Sequence, residues 1–256
     1  MKVLFLGTGT SVGVPMIGCD CPVCTSCDPR NRRRRAAVYL TSGERDLVVD
    51  TPPDFREQAL EYGIRHVDAV LITHSHADHI FGLDDIRRFN TIQNCAIPVY
   101  ASLSATEDLR RVFDYVELDK VEGMYRPQLE FMEVSSSFCI GNIGVEPLPV
   151  NHGSKPTFGF LFSAEGRRFG YVPDCREMSE ETVAKFRGID VMVLDALRHR
   201  PHKTHLTLEA SVKLLEEIGA GRSFITHMCH DLDHEETGKS LPGGISVSYD
   251  GLEIEV

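Results

Sequence analysis

The 256-residue sequence contains no tryptophan, no low-complexity tract and no apolar run near the ~18 residues that a membrane-spanning helix needs. Its opening stretch, Val3-Leu4-Phe5-Leu6, meets glycine too soon to be the apolar region of a secretory signal. Excess positive charge is missing as well: 27 Lys and Arg stand against 38 Asp and Glu, a formal net charge of −11. A chain that binds many phosphates needs a basic face, so this balance speaks against a large nucleic-acid partner. Nucleotide-sized substrates stay open, because bound cations supply positive charge locally. The reading is a cytoplasmic protein without a membrane partner. Its eight cysteines are then expected as reduced thiols or metal ligands, not as a disulfide framework. With 42% hydrophobic residues and no linker or composition break, 1–256 reads as a single domain with a sizeable core.

What the chain does have is His74-Ser75-His76-Ala77-Asp78-His79, directly after the apolar run Val67–Thr73. Imidazoles and a carboxylate crowded this closely repel or desolvate one another unless a cation organises them. His74 and His76 are two apart and share one side of an extended segment. Asp78 and His79 open the next helix and aim at a neighbouring point. One loop can therefore feed two adjacent metals, the arrangement used for hydrolysis at phosphoryl or carbonyl centres. A polar loop with incidental histidines would rarely be so dense. His152, Asp174 and His227 each follow an apolar strand too. Singly they read as loop residues; their shared place at strand ends makes them candidate ligands.

Cys19, Cys21 and Cys24 crowd a Pro- and Gly-rich loop with no strand or helix face to bury them. Three reduced thiols at this spacing suit a structural zinc, which needs one more ligand. His230 is the leading candidate, with Cys27 and Cys229 in competition.

Local patterns predict strands at Val3–Leu6, Ala36–Leu40, Asp46–Asp50, Val67–Thr73, Ile97–Ala101, Phe131–Val134, Ile143–Leu148, Thr157–Ser163, Arg168–Val172, Val191–Leu194 and Arg222–Thr226. A closing hairpin, Ile245–Tyr249 with Leu252–Val256, is expected around Asp250-Gly251. Helices are expected at Pro53–Gly63, Ile80–Arg88, Ser104–Tyr115, Ser179–Phe186 and Thr207–Ile218. Two strand-rich halves, each followed by helices, fit an α/β fold of the αββα sandwich type, with two face-to-face mixed sheets and helices outside. A parallel Rossmann-type sheet is the alternative, but the hairpins speak against it. Gly7-x-Gly9 reads as a tight turn, since no complete nucleotide-loop motif follows. Arg32-Arg33-Arg34-Arg35 reads as a solvated charge run, with Arg35 the one member placed to face a pocket. Arg198 and Arg200 flank His199 and are better phosphate partners. His66 is assigned to structure and His234 to a loop.

The ordered set HxHxDH, His152, Asp174, His227 resembles the metallo-β-lactamase superfamily of dinuclear hydrolases. The resemblance narrows with Gly9-Thr10-Ser11-x-Gly13-Val14-Pro15 leading into the cysteines. It extends through Asn151-His152 to Thr157-Phe158-Gly159-Phe160, and through Leu241-Pro242 to Asp250-Gly251-x-Glu253-Ile254. Together these look like the bacterial phosphoribosyl 1,2-cyclic phosphate phosphodiesterases of phosphonate catabolism. The resemblance implies a first metal on His74, His76 and His152, and a second on Asp78, His79 and His227, with Asp174 bridging. It makes Asp50 a support of the metal loop and not a ligand. It implies zinc or manganese at the catalytic pair and one structural zinc, held by Cys19, Cys21, Cys24 and His230. The expected reaction opens a cyclic ribose phosphate with a hydroxide shared by the two metals. Asp78 and Asp174 then act catalytically, Asp174 orienting the nucleophile. His205 matches the family's non-ligand histidine, which contacts phosphate or protonates the leaving oxygen; by itself it reads equally as a surface residue at a helix start. His202 is the weaker candidate for that duty, and His205, His202, Arg198 and Arg200 are the expected substrate contacts. The expected partner is a small phosphorylated sugar or nucleotide, and related enzymes imply a homodimer. The competing readings are a nuclease like the tRNA 3′-processing enzymes, a thioester or β-lactam hydrolase, and a nucleotide-binding protein that keeps its metals without turnover.

Overall fold

A computed structural model describes residues 1–117 and 125–256. Its strands are β1 (Lys2–Gly7), β2 (Ala37–Ser42), β3 (Arg45–Val49), β4 (Ala69–Leu71), β5 (Ile97–Ala101), β6 (Leu129–Glu133), β7 (Phe138–Ile140), β8 (Ile143–Val150), β9 (Thr157–Ala164), β10 (Arg167–Val172), β11 (Val191–Asp195), β12 (Arg222–Thr226), β13 (Ile245–Val247) and β14 (Glu253–Glu255). The helices are α1 (Phe55–Glu61), α2 (Ala77–Ile80), α3 (Arg87–Gln93), α4 (Leu103–Val112), α5 (Glu180–Phe186), α6 (Leu208–Ile218) and α7 (His234–Ser240).

The strands form two sheets of seven, ordered β14-β1-β2-β3-β4-β5-β6 and β13-β12-β11-β10-β9-β8-β7. Alternating strand residues face one another between the sheets, among them Phe5, Leu40, Leu71, Phe160, Phe162, Phe169 and Tyr171. The other face of the first sheet packs on Phe55, Ile80, Phe89 and Leu109 of its helices. The other face of the second sheet packs on Val183, Phe186, Leu215 and Ile218 of α5 and α6. Three apolar layers between four structural layers make the expected αββα sandwich. Three helices begin within a residue of their expected starts, where Ser102, Ser179 and Thr207 each accept a backbone N–H of the first turn. No helix among the described residues is long and apolar enough to cross a membrane.

Three expectations need correction. The closing segment is not a hairpin: β13 runs parallel to β12 in one sheet, while β14 pairs with β1 in the other. The crossing is fixed by Asp250, which accepts Thr8 Oγ1 at 2.8 Å and Arg34 N at 2.7 Å, and by Gly251 N, which donates to Phe5 O. Each short strand thereby covers an open sheet edge. The single helix expected at Ile80–Arg88 is broken into α2, a 3₁₀ turn at Leu83–Ile86, and α3. Gly82 sits at the break because its backbone abuts Pro52, whose carbonyl oxygen would lie 2.1 Å from an added Cβ. His234 is not a loop residue; it opens α7, whose cap Asp233 accepts Glu235 N and Glu236 N.

Candidate metal centre and its surroundings

The site is built where strand ends from both sheets meet. Asp50 follows β3, the loop His74–His79 follows β4, Asp174 follows β10 and His227 follows β12. Asp50 and His227 both have left-handed backbones, with φ of 65° and 59°. Non-glycine residues held there cost about 1–3 kcal/mol each, a strain that concentrates at functional sites.

All seven expected catalytic ligands come together. His76 Nδ1 lies 2.7 Å from His74 Nε2 and 3.3 Å from His152 Nε2. Asp174 touches imidazoles on both sides: Oδ2 is 2.6 Å from His79 Nε2 and 3.3 Å from His74 Nε2, and Oδ1 is 2.9 Å from His227 Nε2. Asp78 Oδ2 lies 3.3 Å from His79 Nε2 and 3.7 Å from His227 Nε2. His74, His76 and His152 form one group able to hold an ion, and Asp78, His79 and His227 form another.

Outer contacts fix which imidazole nitrogens face inward. Asp50 accepts Thr73 N and Thr73 Oγ1, both at 2.8 Å, and its Oδ2 lies 2.7 Å from His79 Nδ1. A carboxylate can only accept, so the His79 proton sits on Nδ1 and its Nε2 carries a lone pair. Thr73 gives its hydroxyl proton to Asp50, so Oγ1 accepts from His74 Nδ1 at 3.0 Å, and His74 Nε2 is free too. His152 Nδ1 donates to Thr204 O at 2.8 Å, again leaving Nε2. Several lone pairs therefore converge in a buried space.

Those atoms test whether the residues fit metal ions. His79 Nε2, His227 Nε2 and Asp174 Oδ1 are buried and make no properly directed hydrogen bond. Buried polar atoms left so are costly, and an ion between them removes the cost. Electrostatics agree. Burial opposes charge on His79, but Asp174, Asp78 and Asp50 outweigh it and raise its pKa well above the usual range. Burial likewise opposes charge on His227, yet Asp174 and Asp78 take it up to about 10. The carboxylates demand positive charge at this point, which divalent cations supply without protonating the rings. On the other side, burial pushes His74 well down and His152 down to about 4, which keeps both as neutral donors.

His205 lies against the cluster, its Nδ1 3.6 Å from Asp174 Oδ1. That nitrogen is also 2.9 Å from Asp195 Oδ2, which accepts Cys175 N at 3.0 Å and Leu206 N at 3.3 Å. His205 is buried and not a surface residue. Asp195 escaped the sequence reading, although it ends the apolar strand β11 by the same strand-end rule that singled out the ligands. His202 is half-buried, with its ring 5.1 Å from that of His205. Arg198 and Arg200 are not drawn into the cluster. Arg198 donates to the carbonyls of Arg200 and Pro201, and Arg200 pairs with Asp231 at 3.2 Å.

The arginine run is not a solvated face. Arg33 is buried and donates to Cys229 O at 3.0 Å and Leu232 O at 2.7 Å, strapping the loop that carries His227. Arg35 pairs with Asp54 at 2.8 Å and does not enter the pocket as expected. Gly7 and Gly9 serve this strap: an added Cβ would lie 2.0 Å from Arg35 O or 2.7 Å from Arg33 O. Their role is close backbone approach. His66 has the structural place expected of it, 3.2 Å from Asp46.

The second cluster joins the ends of the chain. Cys19, Cys21 and Cys24 Sγ lie 3.1, 3.4 and 3.5 Å from His230 Nδ1. Met16 N and Cys24 N donate to Cys24 and Cys21 sulfurs, as suits thiolates. Cys27 is exposed, and Cys229 accepts Asp231 N. His230 is the residue that completes the group.

Comparison with known proteins agrees with this anatomy. The Beta-lactamase superfamily domain matches residues 45–228, which contain the seven expected metal ligands but not the cysteine cluster. A crystal structure described as a new diphosphatase from the PhnP family superimposes with a TM-score of 0.92 at 40% identity, covering 100% of this chain and 96% of that one. Zn(2+)-bound PqqB from Methylobacterium extorquens shares the fold over the whole of both chains, with a TM-score of 0.82 at 22% identity. An octanoyltransferase from Porphyromonas gingivalis is 34% identical over 99% of this chain, which spans about half (51%) of that protein's length. On the domain match and the sandwich together, the chain belongs to the metallo-β-lactamase superfamily and is a metal-dependent hydrolase.

Proposed function

We propose that the chain is a dinuclear metal-dependent phosphodiesterase that opens a cyclic ribose phosphate, such as 5-phosphoribosyl 1,2-cyclic phosphate or a 2′,3′-cyclic nucleotide. The observation that carries this reading is Asp174, whose Oδ2 lies 3.3 Å from His74 Nε2 of one ligand group and 2.6 Å from His79 Nε2 of the other. His74, His76 and His152 would hold one ion and Asp78, His79 and His227 the other, with Asp174 between. Ions bound there supply Lewis acidity and offset the negative charge that grows on phosphorus. His and carboxylate donors accept zinc or manganese, whereas the Cys19, Cys21, Cys24 and His230 group favours a structural zinc.

The chain's own residues do the rest. Asp174 orients the attacking water and takes its proton. His205, held at Nδ1 by Asp195, presents Nε2 and delivers a proton to the leaving ribose oxygen. His202 shields that face of the ring. Asp50 fixes His79 and the turn before the metal loop.

A second reading is hydrolysis of a diphosphate, favoured by the relative at 40% identity described as a diphosphatase. The site's chemistry accommodates it, since attack at phosphorus and protonation of a leaving oxygen are common to both. The nuclease reading has less support, because the net charge of −11 offers no broad RNA-binding face.

The test is product analysis on zinc- or manganese-loaded protein, offering 5-phosphoribosyl 1,2-cyclic phosphate, 2′,3′-cyclic nucleotides, a dinucleoside diphosphate and linear RNA. Cyclic phosphate opening, abolished in His76→Ala and Asp174→Asn, is the expected result. Preference for the diphosphate would install the second reading. No turnover of any of them by fully metal-loaded protein would leave a binding protein.

A further inference from the structure

Two of the three imidazoles in the first ligand group are held from outside, His74 Nδ1 by Thr73 Oγ1 and His152 Nδ1 by Thr204 O. His76 has no such partner among the described residues. Its Nδ1 faces the other two rings, and the residue is exposed. A ligating histidine is usually aimed by an outer hydrogen bond. Without one, His76 depends on where its backbone is held.

The neighbouring residue supplies that hold. Ser75 Oγ donates to Asp108 Oδ2 at 2.5 Å. Asp108 belongs to α4, and its neighbours Ala105 and Leu109 on that helix are buried in the outer apolar layer of the first sheet. The same carboxylate oxygen accepts Lys155 Nζ at 2.6 Å. Lys155 lies three residues past His152 on the loop from β8 to β9, and this loop returns to the metal loop, where Phe158 N donates to Thr73 O at 3.0 Å. One atom of α4 therefore ties down both loops that supply the first group, His74 and His76 on one and His152 on the other. The remaining oxygen of Asp108 accepts Arg111 of the same helix at 2.6 Å. Exposed ion pairs contribute little because water competes for them. Asp108 is only 14% exposed, so its bonds are better protected than that.

We infer that Asp108 is a positioning residue for the first ligand group, clamping the His74–His79 loop and the His152 loop to α4 through one shared oxygen and so setting the aim of His76 relative to His152. The inference rests on the metal assignment proposed above and on no particular substrate.

The experiment titrates manganese or zinc into protein freed of its catalytic ions, with calorimetry as the readout. Wild type is compared with Ser75→Ala, Lys155→Met and the double variant. Each single substitution opens the clamp, so each should weaken one of the two ions by roughly 10–100-fold and leave the other within about threefold. A clamp opened at one arm has little left to lose at the other, so the double variant should bind about as well as the weaker single variant. Lys155→Arg still reaches the carboxylate and should recover most of the affinity. Arg111→Met removes the partner of Asp108 that lies on neither loop, and should change the affinity by less than about threefold. Losses that add in the double variant make Ser75 and Lys155 separate anchors and overturn the inference. Single variants that bind both ions like wild type, or weaken both alike, overturn it too. All of these results leave the metal assignment standing. A wild type that takes up two ions of neither metal removes the assignment, and this inference with it.

Discussion

Asp195→Asn separates charge from geometry at the proposed proton donor. The three donors that meet Asp195, His205 Nδ1 at 2.9 Å, Cys175 N at 3.0 Å and Leu206 N at 3.3 Å, all point at Oδ2. The other oxygen is buried without a partner, 4.0 Å from His227 Nδ1. An asparagine that places its oxygen at the Oδ2 position keeps all three bonds and loses only the negative charge. A hydrogen bond to a charged acceptor contributes about 1–2 kcal/mol more than one to a neutral acceptor. That difference supports the charged ring while it delivers its proton, so its loss should slow kcat by roughly 5–30-fold. His205→Ala removes the acid altogether and should cost roughly 10²–10⁴-fold. The assay is steady-state hydrolysis of two substrates: a cyclic ribose phosphate, whose alkoxide leaving group needs a proton, and bis(p-nitrophenyl) phosphate, whose phenolate does not. Only the first should slow markedly. Burial disfavours charge on Asp195, so the amide should not lower the melting temperature. Equal losses on both substrates, or loss of bound metal from His205→Ala, would refute the reasoning and turn His205 into a ligand.

Three further outcomes are expected. Cys24→Ser should release one zinc per chain and lower the melting temperature, because metal binding and the fold of the first loop are linked; metal analysis beside calorimetry checks it. Asp50→Asn, which replaces a charged acceptor of Thr73 and His79, should weaken catalytic metal affinity by roughly 10–100-fold in a chelator competition. Asp250 is pushed by burial up to about 7 despite its bonds to Thr8 and Arg34. A raised carboxyl pKa means the folded chain holds a proton that the unfolded chain has released. Stability from this group is therefore full below about pH 4 and lost as pH rises through about 7. Asp250→Asn should remove that slope from denaturant unfolding measured between pH 4 and 7; an unchanged slope would assign it to other groups.

The residues that meet in the candidate metal centre were legible in the sequence because most of them follow one local rule, an apolar strand that runs out into a His or Asp, and the others, Asp78 and His79, stand in the same dense loop. The cysteine cluster was legible because close thiol spacing on an irregular loop has few other uses. What stayed hidden depends on distance along the chain. Nothing local shows that Asp108 meets Ser75, or that the apparent charge run of Arg32–Arg35 contains a buried strap to residues 229 and 232. The closing segment was misread for the same reason: Asp250-Gly251 is good turn chemistry, but its partners are Thr8, Arg34 and Phe5, more than 200 positions away.

The two sheets also explain why the ligands gather at one edge. In the first, β1, β2 and β3 run antiparallel and β4, β5 and β6 continue in parallel; in the second, β8, β9 and β10 run antiparallel and β11, β12 and β13 continue in parallel. The halves thus share one topology, and corresponding strand ends carry corresponding chemistry. β3 leads to Asp50 and β10 to Asp174; β4 leads to the histidine loop and β11 to Asp195. In each half a buried strand-end carboxylate meets the Nδ1 of a histidine, Asp50 with His79 at 2.7 Å and Asp195 with His205 at 2.9 Å. The two carboxylates do different work because of what the histidine's other nitrogen faces. His79 Nε2 points at Asp174 and Asp78, where a cation belongs, so Asp50 tunes a ligand. His205 instead turns its Nδ1 toward Asp195 and Asp174, which leaves Nε2 for a substrate and, on the proposed function, would make Asp195 the support of a proton donor. On the proposed function, one half's carboxylate–histidine pair would serve the metal and the other's the leaving group, which is why the Asp195 variant should affect proton delivery without emptying the metal site.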